Sequence, residues 1–374
     1  MNLRKSDRYI LIMAGGRGER FWPVSREKTP KQLIRLLGEQ SFLQQTVDRV
    51  LEVVPLKNIL IITNQAQTTE VKKQLPDLPK ENVIAEPCGR DTCAAIALGA
   101  ALVAHRNPKS TMAVLPADHL IQDQKKFQRV MTDCFQMVSS CDVLVTIGIR
   151  PTEPATGYGY IRTGPELSTD FGRAKGRTAF WKVRQFVEKP NLSKAKRFLK
   201  SGEYRWNAGM FVWSVETFSK ALKQHQPQMA DACSKWTELA KRPAVLSRAL
   251  KKDYPNIERI SIDFALMEKA GHVVMADGAF DWDDLGSWTA LERHMKSDSH
   301  QNCCRGELVQ LDSSGNIIFD ARRKQGSPIA LIGIKDCIVV QTDDACMIAA
   351  KSHDQQIKQL VQLLARDDRF QGLK

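Results

Sequence analysis

The residues best suited to chemistry lie in a glycine-rich stretch near the N-terminus. An apolar run over residues 9–14 is short enough for one buried strand, and Gly15, Gly16 and Gly18 follow it. Because glycine has no Cβ, such a loop can adopt positive φ values and bring its N–H groups close to phosphate oxygens. A set of cations follows within residues 17–31, namely Arg17, Arg20, Arg26, Lys28 and Lys31. This combination predicts a binding site for a triphosphate.

Three other interpretations of this loop are possible. A P-loop requires Gly-Lys-Ser/Thr after its second conserved glycine, and Gly18 is followed instead by Glu19 and Arg20. A dinucleotide-binding loop opens a helix at once, whereas Pro23 and Pro30 interrupt any helix here. The third interpretation is a structural glycine turn with solvated charges, which the sequence of this loop alone does not exclude.

Two acidic segments favour a divalent cation. Asp118 follows the fourth predicted strand, and Asp281, Asp283 and Asp284 crowd into four positions. Like charges at such short range repel unless cations share them. Asp118 and one of the later carboxylates would suit Mg²⁺, which prefers hard oxygen ligands. The alternatives are a helix N-cap at Asp118 and a solvated acidic turn at 281–284.

Three further segments could contact a sugar phosphate. Glu188 can accept hydrogen bonds from hydroxyl groups, and Lys189 can meet a phosphate. Residues 156–160 and 206–210 each combine glycine, an aromatic ring and a polar side chain. An exposed ion pair and two packed turns are the alternative interpretations.

The elements that must position these residues alternate between strand and helix in the first half of the chain. Predicted strands cover 9–14, 58–63, 82–85, 111–115 and 143–148, with helices over 41–53, 65–75, 92–104 and 125–139. This alternation predicts an α/β fold with a doubly wound, mostly parallel, Rossmann-like sheet. Ligands of such sheets bind beyond the carboxyl ends of the strands, where the glycine loop would lie.

The rest of the chain predicts an extension of the sheet and a small appendage. Strands are predicted over 159–162, 179–187, 210–214 and 272–276, with helices over 193–201, 216–224 and 262–270. Apolar segments over 307–312, 316–320, 329–334, 336–341 and 345–350 predict a β-rich unit, and 355–365 a final helix. We therefore predict a catalytic domain over 1–298 and a β-rich domain over 299–374.

Composition limits the classes of partner. The 374 residues are 43% hydrophobic and 26% charged, as in ordinary globular proteins, and carry a net charge of +13. This charge suits anionic ligands, but its scattered basic clusters contain no nucleic-acid reader motif. We therefore expect small anions, no nucleic acid and no membrane partner. Nine cysteines without a Cys-x-x-Cys pair indicate buried thiols in a reducing compartment, so we expect a cytoplasmic location.

Taken in order, the motifs resemble those of the sugar-nucleotide pyrophosphorylases, a sugar nucleotidyltransferase family, and most closely its GDP-mannose branch. The resemblance covers residues 10–288. It rests on the segments 14–26 (AGGRGERFWPVSR), 29–32 (TPKQ), 86–92 (EPCGRDT), 116–119 (PADH), 156–160 (TGYGY), 186–190 (FVEKP), 206–211 (WNAGMF), 261–263 (SID) and 281–288 (DWDDLGSW). The segment after 307 looks like the β-rich piece of short family members, so no phosphomannose isomerase domain is expected.

The resemblance implies GTP and mannose 1-phosphate as substrates, Mg²⁺ as cofactor, and a role for each site residue. Triphosphate binding falls to Ala14, Gly15, Gly16, Arg17 and Gly18, and contact with the base to Glu86. Arg20, Lys31 and Asp118 are the implied catalytic residues, and Asp118 and Asp284 the metal ligands. Gly157, Glu188, Lys189, Asn207 and Asp263 are the implied sugar-phosphate residues. A homodimer is also expected.

Some positions depart from the family pattern, and two rival functions stay open. Four positions hold residues that are less common in the family, namely Asp91, Cys88, Cys93 and Asp283. These differences affect the predicted contact with the base and the charge of the acidic segment. One rival is nucleotidyl transfer to another sugar 1-phosphate, such as a heptose. The other is a catalytically silent subunit that senses a sugar nucleotide, although Arg20, Lys31, Asp118 and Asp284 are intact.

Overall fold

The predicted alternation of strands and helices in the first half is confirmed. The computed structural model describes residues 4–16, 18–167, 177–324 and 326–373. The strands are β1 Arg8–Met13, β2 Ile59–Asn64, β3 Val83–Glu86, β4 Thr111–Pro116, β5 Leu144–Ile149, β6 Tyr160–Glu166, β7 Phe180–Val187, β8 Tyr204–Ser214, β9 Val273–Asp277, β10 Cys303–Arg305, β11 Leu308–Leu311, β12 Ile317–Asp320, β13 Ile329–Ile332, β14 Cys337–Gln341 and β15 Cys346–Ala350.

Most of the α-helices lie between these strands and cover both faces of the main sheet, and α10 follows the last strand. They are α1 Phe42–Val50, α2 Thr68–Gln74, α3 Asp91–Arg106, α4 Gln124–Ser140, α5 Leu192–Ser201, α6 Val215–His225, α7 Pro227–Leu239, α8 Pro243–Asp253, α9 Trp288–Leu291 and α10 Ile357–Leu364. Local signals fix several of their ends. Ser41 and Gln44 form a reciprocal capping box on α1, and Gly202 in the left-handed region ends α5.

The main sheet has the strand order β3-β2-β1-β4-β8-β5-β9-β7-β6. Strands β3, β2, β1 and β4 are mutually parallel, as predicted. In the other half, β8 runs antiparallel to β4, β5 and β6, and β7 runs antiparallel to β9, whereas β5 and β9 are again parallel. The connections from β5 to β8 include the antiparallel pair β6 and β7 rather than one crossover helix. The α/β class holds, and the sheet is mixed.

Two apolar cores cover the faces of this sheet. One packs α1 and α4 under the strands, and the other packs α3, α6, α7 and α8 on the opposite face. Sequence analysis left α7 and α8 unassigned, although both begin with proline in their first turn, a recognised start signal. The predicted helix over 262–270 is a short π-helical turn over Asp263–Met267. Among the described residues, no helix is both long and apolar enough to cross a membrane.

The C-terminal strands stack as successive parallel coils. Strand β12 pairs in parallel with β10 and β14, β11 pairs in parallel with β13, and β15 closes the edge antiparallel to β14. The β-rich unit and the final helix α10 are therefore confirmed, whereas β10 went unpredicted. A third core joins this unit to the glycine-loop region, with Phe21, Trp22 and Trp288 packed against Phe319 and Ile357. The division at residue 298 stays a prediction.

Candidate active site

Two adjacent cavities that share lining residues open at the carboxyl ends of β1, β3 and β4. The smaller chamber, of about 450 Å³, is lined by the sheet edge around Glu86, Asn207 and Asp263. The larger chamber, of about 880 Å³, is lined by the stretch that holds Gly18, Arg20 and Lys31. Both chambers share a boundary formed by Gly15, Gly89, Asp91, His119 and Asp284. A ligand that spans both chambers would therefore pass this boundary.

The glycine loop is held by buried side chains. Gln32 donates from Nε2 to the carbonyl oxygens of Ala14 and Gly16, at 2.8 Å and 3.1 Å. Gly18 adopts φ +61°, and a Cβ there would lie 2.5 Å from the backbone nitrogen of Lys31. Only glycine fits such a close approach at positive φ. The loop is thus fixed against the segment that carries Lys31, and Gln32 is a site residue without a role in the sequence analysis.

Lys31 is the buried cation of the larger chamber, with a side chain only 6% exposed. Its Nζ lies 3.0 Å from Oδ2 of Asp118 and also donates to the main-chain oxygen of Asp284. Burial is the largest single influence and raises the pKa of Asp118, but the Lys31 charge and weaker electrostatic and hydrogen-bond contributions together hold that pKa below its ordinary value. Asp118 is therefore an ionised carboxylate, placed next to Asp284.

The acidic segment 281–284 spreads its three carboxylates in different directions. Asp281 accepts hydrogen bonds from the backbone N–H groups of Gln122 and Asp123, at 2.9 Å and 2.7 Å. Asp283 is buried and bound by Arg293 and His294, each at 2.8 Å. Only Asp284 lines the chambers. Because cations and N–H groups meet the other two, the expected repulsion is relieved, and the unusual Asp283 adds no free charge to the site.

Asn207 is the centre of the polar network in the smaller chamber. It lies within β8 and donates from Nδ2 to Oδ1 of Asp263 at 2.7 Å. Its own Oδ1 accepts from the Thr146 hydroxyl and from the backbone N–H of Gly209, both at 3.2 Å. These three partners, Asp263, Thr146 and Gly209, fix the orientation of the Asn207 amide. Burial raises the pKa of Asp263 to about 6, although the Asn207 hydrogen bond opposes this rise.

Glu188 and Lys189 form the open side of the smaller chamber. A Cβ added at Gly159 would lie 2.6 Å from Oε2 of Glu188, so this carboxylate reaches the strand end beside Asn207. Lys189 Nζ lies 2.8 Å from Oε1 of Glu188 and its side chain is largely exposed. The ion pair that sequence analysis kept as an alternative is present, and it lies in the chamber wall.

Glu86 lies at the far end of this chamber, at the end of β3. It is buried and accepts a hydrogen bond from the hydroxyl of Tyr254. Burial raises the pKa of Glu86 to about 7, and the Tyr254 hydrogen bond only partly offsets this rise. At neutral pH the carboxyl is therefore close to half protonated, so it can both donate and accept hydrogen bonds.

An aromatic wall separates the smaller chamber from the protein interior. Tyr158 packs edge-on against Trp206 and Trp282, with ring centroids 5.0 Å and 5.2 Å away, and its hydroxyl donates to Oδ1 of Asp284 at 2.8 Å. The indole N–H of Trp282 lies 3.0 Å from Nδ1 of His119. Since indole only donates, Nδ1 carries no proton, and neutral His119 presents its Nε2–H.

The structure brings nearly all the predicted site residues to these chambers. The larger chamber is lined by Gly15, Gly18, Arg20, Lys31, Asp118 and Asp284, and the smaller by Gly15, Gly16, Glu86, Gly157, Glu188, Lys189, Asn207, Asp263 and Asp284. Ala14 is buried behind the loop, and Arg17 lies outside the described residues. Sequence analysis gave no role to Gln32, His119, Tyr158 or Trp282, although all four lie in its quoted motifs.

The chambers define a class of protein. A glycine loop and cations beyond the first strand meet two carboxylates, and a chamber with an aromatic wall and a hydrogen-bonded polar network adjoins them. Among the described residues we find no cluster of three or more metal-binding side chains. An α/β sheet with this arrangement is that of a nucleotidyltransferase.

Comparison with known proteins gives the same answer. The nucleotidyl transferase family model matches residues 9–301, and the model of the MannoseP isomerase/GMP-like beta-helix domain matches residues 306–364. The chain belongs to the nucleotidyl transferase family, and within it to the group of the mannose-1-phosphate guanylyltransferases. The resemblance noted in the sequence is thereby confirmed.

Two curated relatives and one solved structure show how far this likeness extends. Mannose-1-phosphate guanylyltransferase of Escherichia coli K12 is 35% identical, over 99% of this chain and 76% of its own length. Xanthan biosynthesis protein XanB of Xanthomonas campestris pv. campestris is 37% identical, over 95% of this chain and 73% of its own. The crystal structure of mannose-1-phosphate geranyltransferase from Thermus thermophilus superposes with a TM-score of 0.80 at 31% identity, covering 96% of this chain and 99% of that one.

Proposed function

We propose that this protein transfers GMP from GTP to α-D-mannose 1-phosphate and releases pyrophosphate. The observation that carries this proposal is the meeting of the two chambers at Gly15, His119 and Asp284, beside the buried cation Lys31. The smaller chamber would hold the sugar phosphate and, at its Glu86 end, the guanine base, and the larger chamber would hold the triphosphate, so that the two reactants meet at this boundary. The family relationship supports the same reaction.

The reaction needs alignment and charge neutralisation rather than a general base. A sugar 1-phosphate has a second pKa near ~6 and is therefore largely a dianion at neutral pH. One of its oxygens attacks the α-phosphorus of GTP, a P–O bond to that oxygen forms, and the bond to the β-phosphate breaks. Since both reactants are anions, the residues that hold them in line and cancel their repulsion do the work. Neutral His119 can donate from Nε2 without adding or removing a proton.

Each predicted residue receives a role on this basis. The loop 14–18 and Arg20 would bind the phosphates, and Lys31 would neutralise charge near the α-phosphorus. Glu86 would contact guanine, whose N1–H and amino group are donors that a carboxylate can accept. Residues of the smaller chamber would bind the sugar phosphate, namely Gly157, Glu188, Lys189, Asn207 and Asp263.

The carboxylates suit a magnesium ion. Tyr158 donates to Oδ1 of Asp284 and Lys31 to Oδ2 of Asp118, so among the described residues the other oxygen of each accepts no hydrogen bond from a side chain. Mg²⁺ in phosphate-transfer sites is commonly coordinated by one or two carboxylates, and waters and phosphate oxygens complete its coordination shell. Asp118 and Asp284 would hold the ion, which would offset phosphate charge. Lys31 links the carboxylate of Asp118 to the main-chain carbonyl of Asp284.

Two further expectations belong to this proposal. The cysteines in the described residues are all free, which supports a cytoplasmic location. Three large apolar side chains on the outward faces of β11 and β13 are exposed, Val309 by 61%, Leu311 by 60% and Ile332 by 73%. Such a patch supports a homodimer, which light scattering would test.

Pyrophosphate release over a panel of nucleoside triphosphates and sugar 1-phosphates tests the reaction. With Mg²⁺ present, GTP plus mannose 1-phosphate should give the highest kcat/KM and yield GDP-mannose by mass spectrometry. Faster release with a heptose 1-phosphate would favour the rival transferase. Absence of turnover with every pair, combined with tight binding of a sugar nucleotide, would favour the silent sensing subunit.

A further inference from the structure

The C-terminal helix supplies part of the larger chamber. Lys358 and Gln362 of α10 line it together with Arg20 and Lys31, although more than 320 positions separate them from Lys31 in the chain. Residues four apart on a helix lie on the same face. Helix α10 therefore turns one polar face toward the site, and neither side chain lines the smaller chamber.

Helix α10 is held firmly against the glycine-loop region. It packs on the 3₁₀ turn Glu19–Phe21, which carries Arg20. Ile357 is buried in the core that also contains Phe21 and Trp22, and the indole of Trp22 donates to the carbonyl oxygen of Leu373 at 2.8 Å. The position of Lys358 is thus set by packing on the segment that carries the predicted phosphate contacts.

Lys358 is an unused positive charge. Among the described residues it forms no ion pair or side-chain hydrogen bond, and it is exposed to the chamber. The other lysine of this chamber, Lys31, is already paired with Asp118 and bound to the Asp284 carbonyl. The acidic side chains Glu19, Asp91, Asp118 and Asp284 also line this chamber. A bound triphosphate adds further negative charge, which a free cation would offset.

The position of Lys358 indicates which phosphates it would contact. Attack on the α-phosphorus occurs at the boundary of the two chambers, and the β- and γ-phosphates must extend into the larger one. Because Lys358 and Gln362 line only the larger chamber, they lie toward this leaving end.

We propose that Lys358, assisted by Gln362, binds the β- and γ-phosphates of the nucleotide and the pyrophosphate that leaves. This inference rests on the proposed function for its substrate. It makes the C-terminal domain a contributor to the active site rather than a separate appendage. Lysine on a flexible stem suits a phosphate group whose position changes as the bond breaks.

The test compares Lys358→Gln with Lys335→Gln, an exposed lysine of the same domain that lies outside both chambers. In the reverse reaction, Lys358→Gln should raise the KM for inorganic pyrophosphate about tenfold, as expected for loss of one charged contact. The KM for GDP-mannose should stay within about twofold, and Lys358→Arg should restore the KM for pyrophosphate. Lys335→Gln should match the wild type, and equal melting temperatures would show that the fold is intact.

A binding measurement separates this inference from the proposed function. Calorimetry with pyrophosphate and Mg²⁺ should show about tenfold weaker binding to Lys358→Gln than to the wild type, whatever sugar the enzyme uses. Equal pyrophosphate affinity in the two proteins, or an equal KM for pyrophosphate, would overturn the inference. A wild type that binds pyrophosphate through Lys358 but makes no GDP-mannose would instead overturn the proposed function.

Discussion

The two chambers meet at one boundary but are built in opposite ways. The larger chamber gathers charged side chains from segments far apart in the chain, around Arg20, Asp118, Asp284 and Lys358. The smaller chamber is framed by strands and fixed by hydrogen bonds, with Asn207 held by Thr146, Gly209 and Asp263. The larger chamber is built to neutralise the charge of a bound phosphate group, and the smaller chamber is built to fit the shape of its ligand.

This contrast leads to different expected consequences of mutation. In the larger chamber, Lys31 would lie beside the reacting phosphorus, where charge that develops as pyrophosphate leaves is stabilised mainly in the transition state, so its loss should lower kcat. In the smaller chamber, contacts to the sugar are present before and during the reaction. Their loss should mainly raise the KM for the sugar phosphate.

The largest effect is expected for Lys31→Ala. This change removes the buried cation between Asp118 and Asp284 and leaves the Asp118 carboxylate unpaired. Loss of a contact that stabilises transition-state charge costs on the order of 3 kcal/mol, so kcat should fall about a hundredfold. Steady-state kinetics would measure this. Lys72→Ala, which changes an exposed lysine outside both chambers, is the control and should stay near wild type. Near-normal kcat in Lys31→Ala would remove Lys31 from the mechanism.

A smaller but clear loss is expected for Gly18→Ala. The added Cβ would meet the Lys31 backbone at 2.5 Å with φ at +61°. The left-handed conformation alone costs about 1 kcal/mol or more for alanine, and the clash must shift the loop. We expect a lower melting temperature and about tenfold lower kcat/KM for GTP. Gly271→Ala has open space and ordinary φ, so it should leave both unchanged. Equal behaviour of the two variants would contradict a fixed loop.

Asn207→Ala probes the smaller chamber. Asp263 would lose its hydrogen-bond partner at 2.7 Å, and the chamber wall would lose its fixed amide. The KM for mannose 1-phosphate should rise about tenfold, equivalent to about 1.4 kcal/mol, with the KM for GTP within about twofold. Asn256, exposed and outside both chambers, offers the matched control Asn256→Ala. An equal rise in both KM values would show that the two chambers are not separate in function.

The last prediction concerns stability and its dependence on pH, rather than turnover. Burial raises the pKa of Glu86 from its ordinary 4.5 to about 7, so between these values the folded state holds more protons than the unfolded one. This stabilisation is complete below pH 4.5 and is lost as pH rises through 7, by about 3 kcal/mol in total. Glu86→Gln should therefore remove much of the fall in stability between pH 5 and pH 8. Urea unfolding at both pH values measures it, with exposed Glu81→Gln as control. Parallel pH curves for wild type and Glu86→Gln would refute the burial effect.

Much of the site could be predicted because its residues lie in short, ordered motifs. Asp118 was placed at a strand end by the rule for parallel sheets, and the structure shows it beside Lys31. The three carboxylates of 281–284 could not be sorted in this way. Asp281 meets the backbone at 122–123 and Asp283 meets Arg293, and only the folded chain brings these partners together.

The sequence by itself determined the alternating strands, the glycine loop and the types of side chain available for a phosphate reaction. These follow from local rules, since hydrophobic periodicity and the lack of a Cβ act over a few residues. Tertiary structure alone decided that β8 lies antiparallel between β4 and β5, that Tyr254 contacts Glu86, and that Lys358 lines the larger chamber. Such contacts join residues up to several hundred positions apart. Their formation depends on how whole elements pack, which no local pattern encodes.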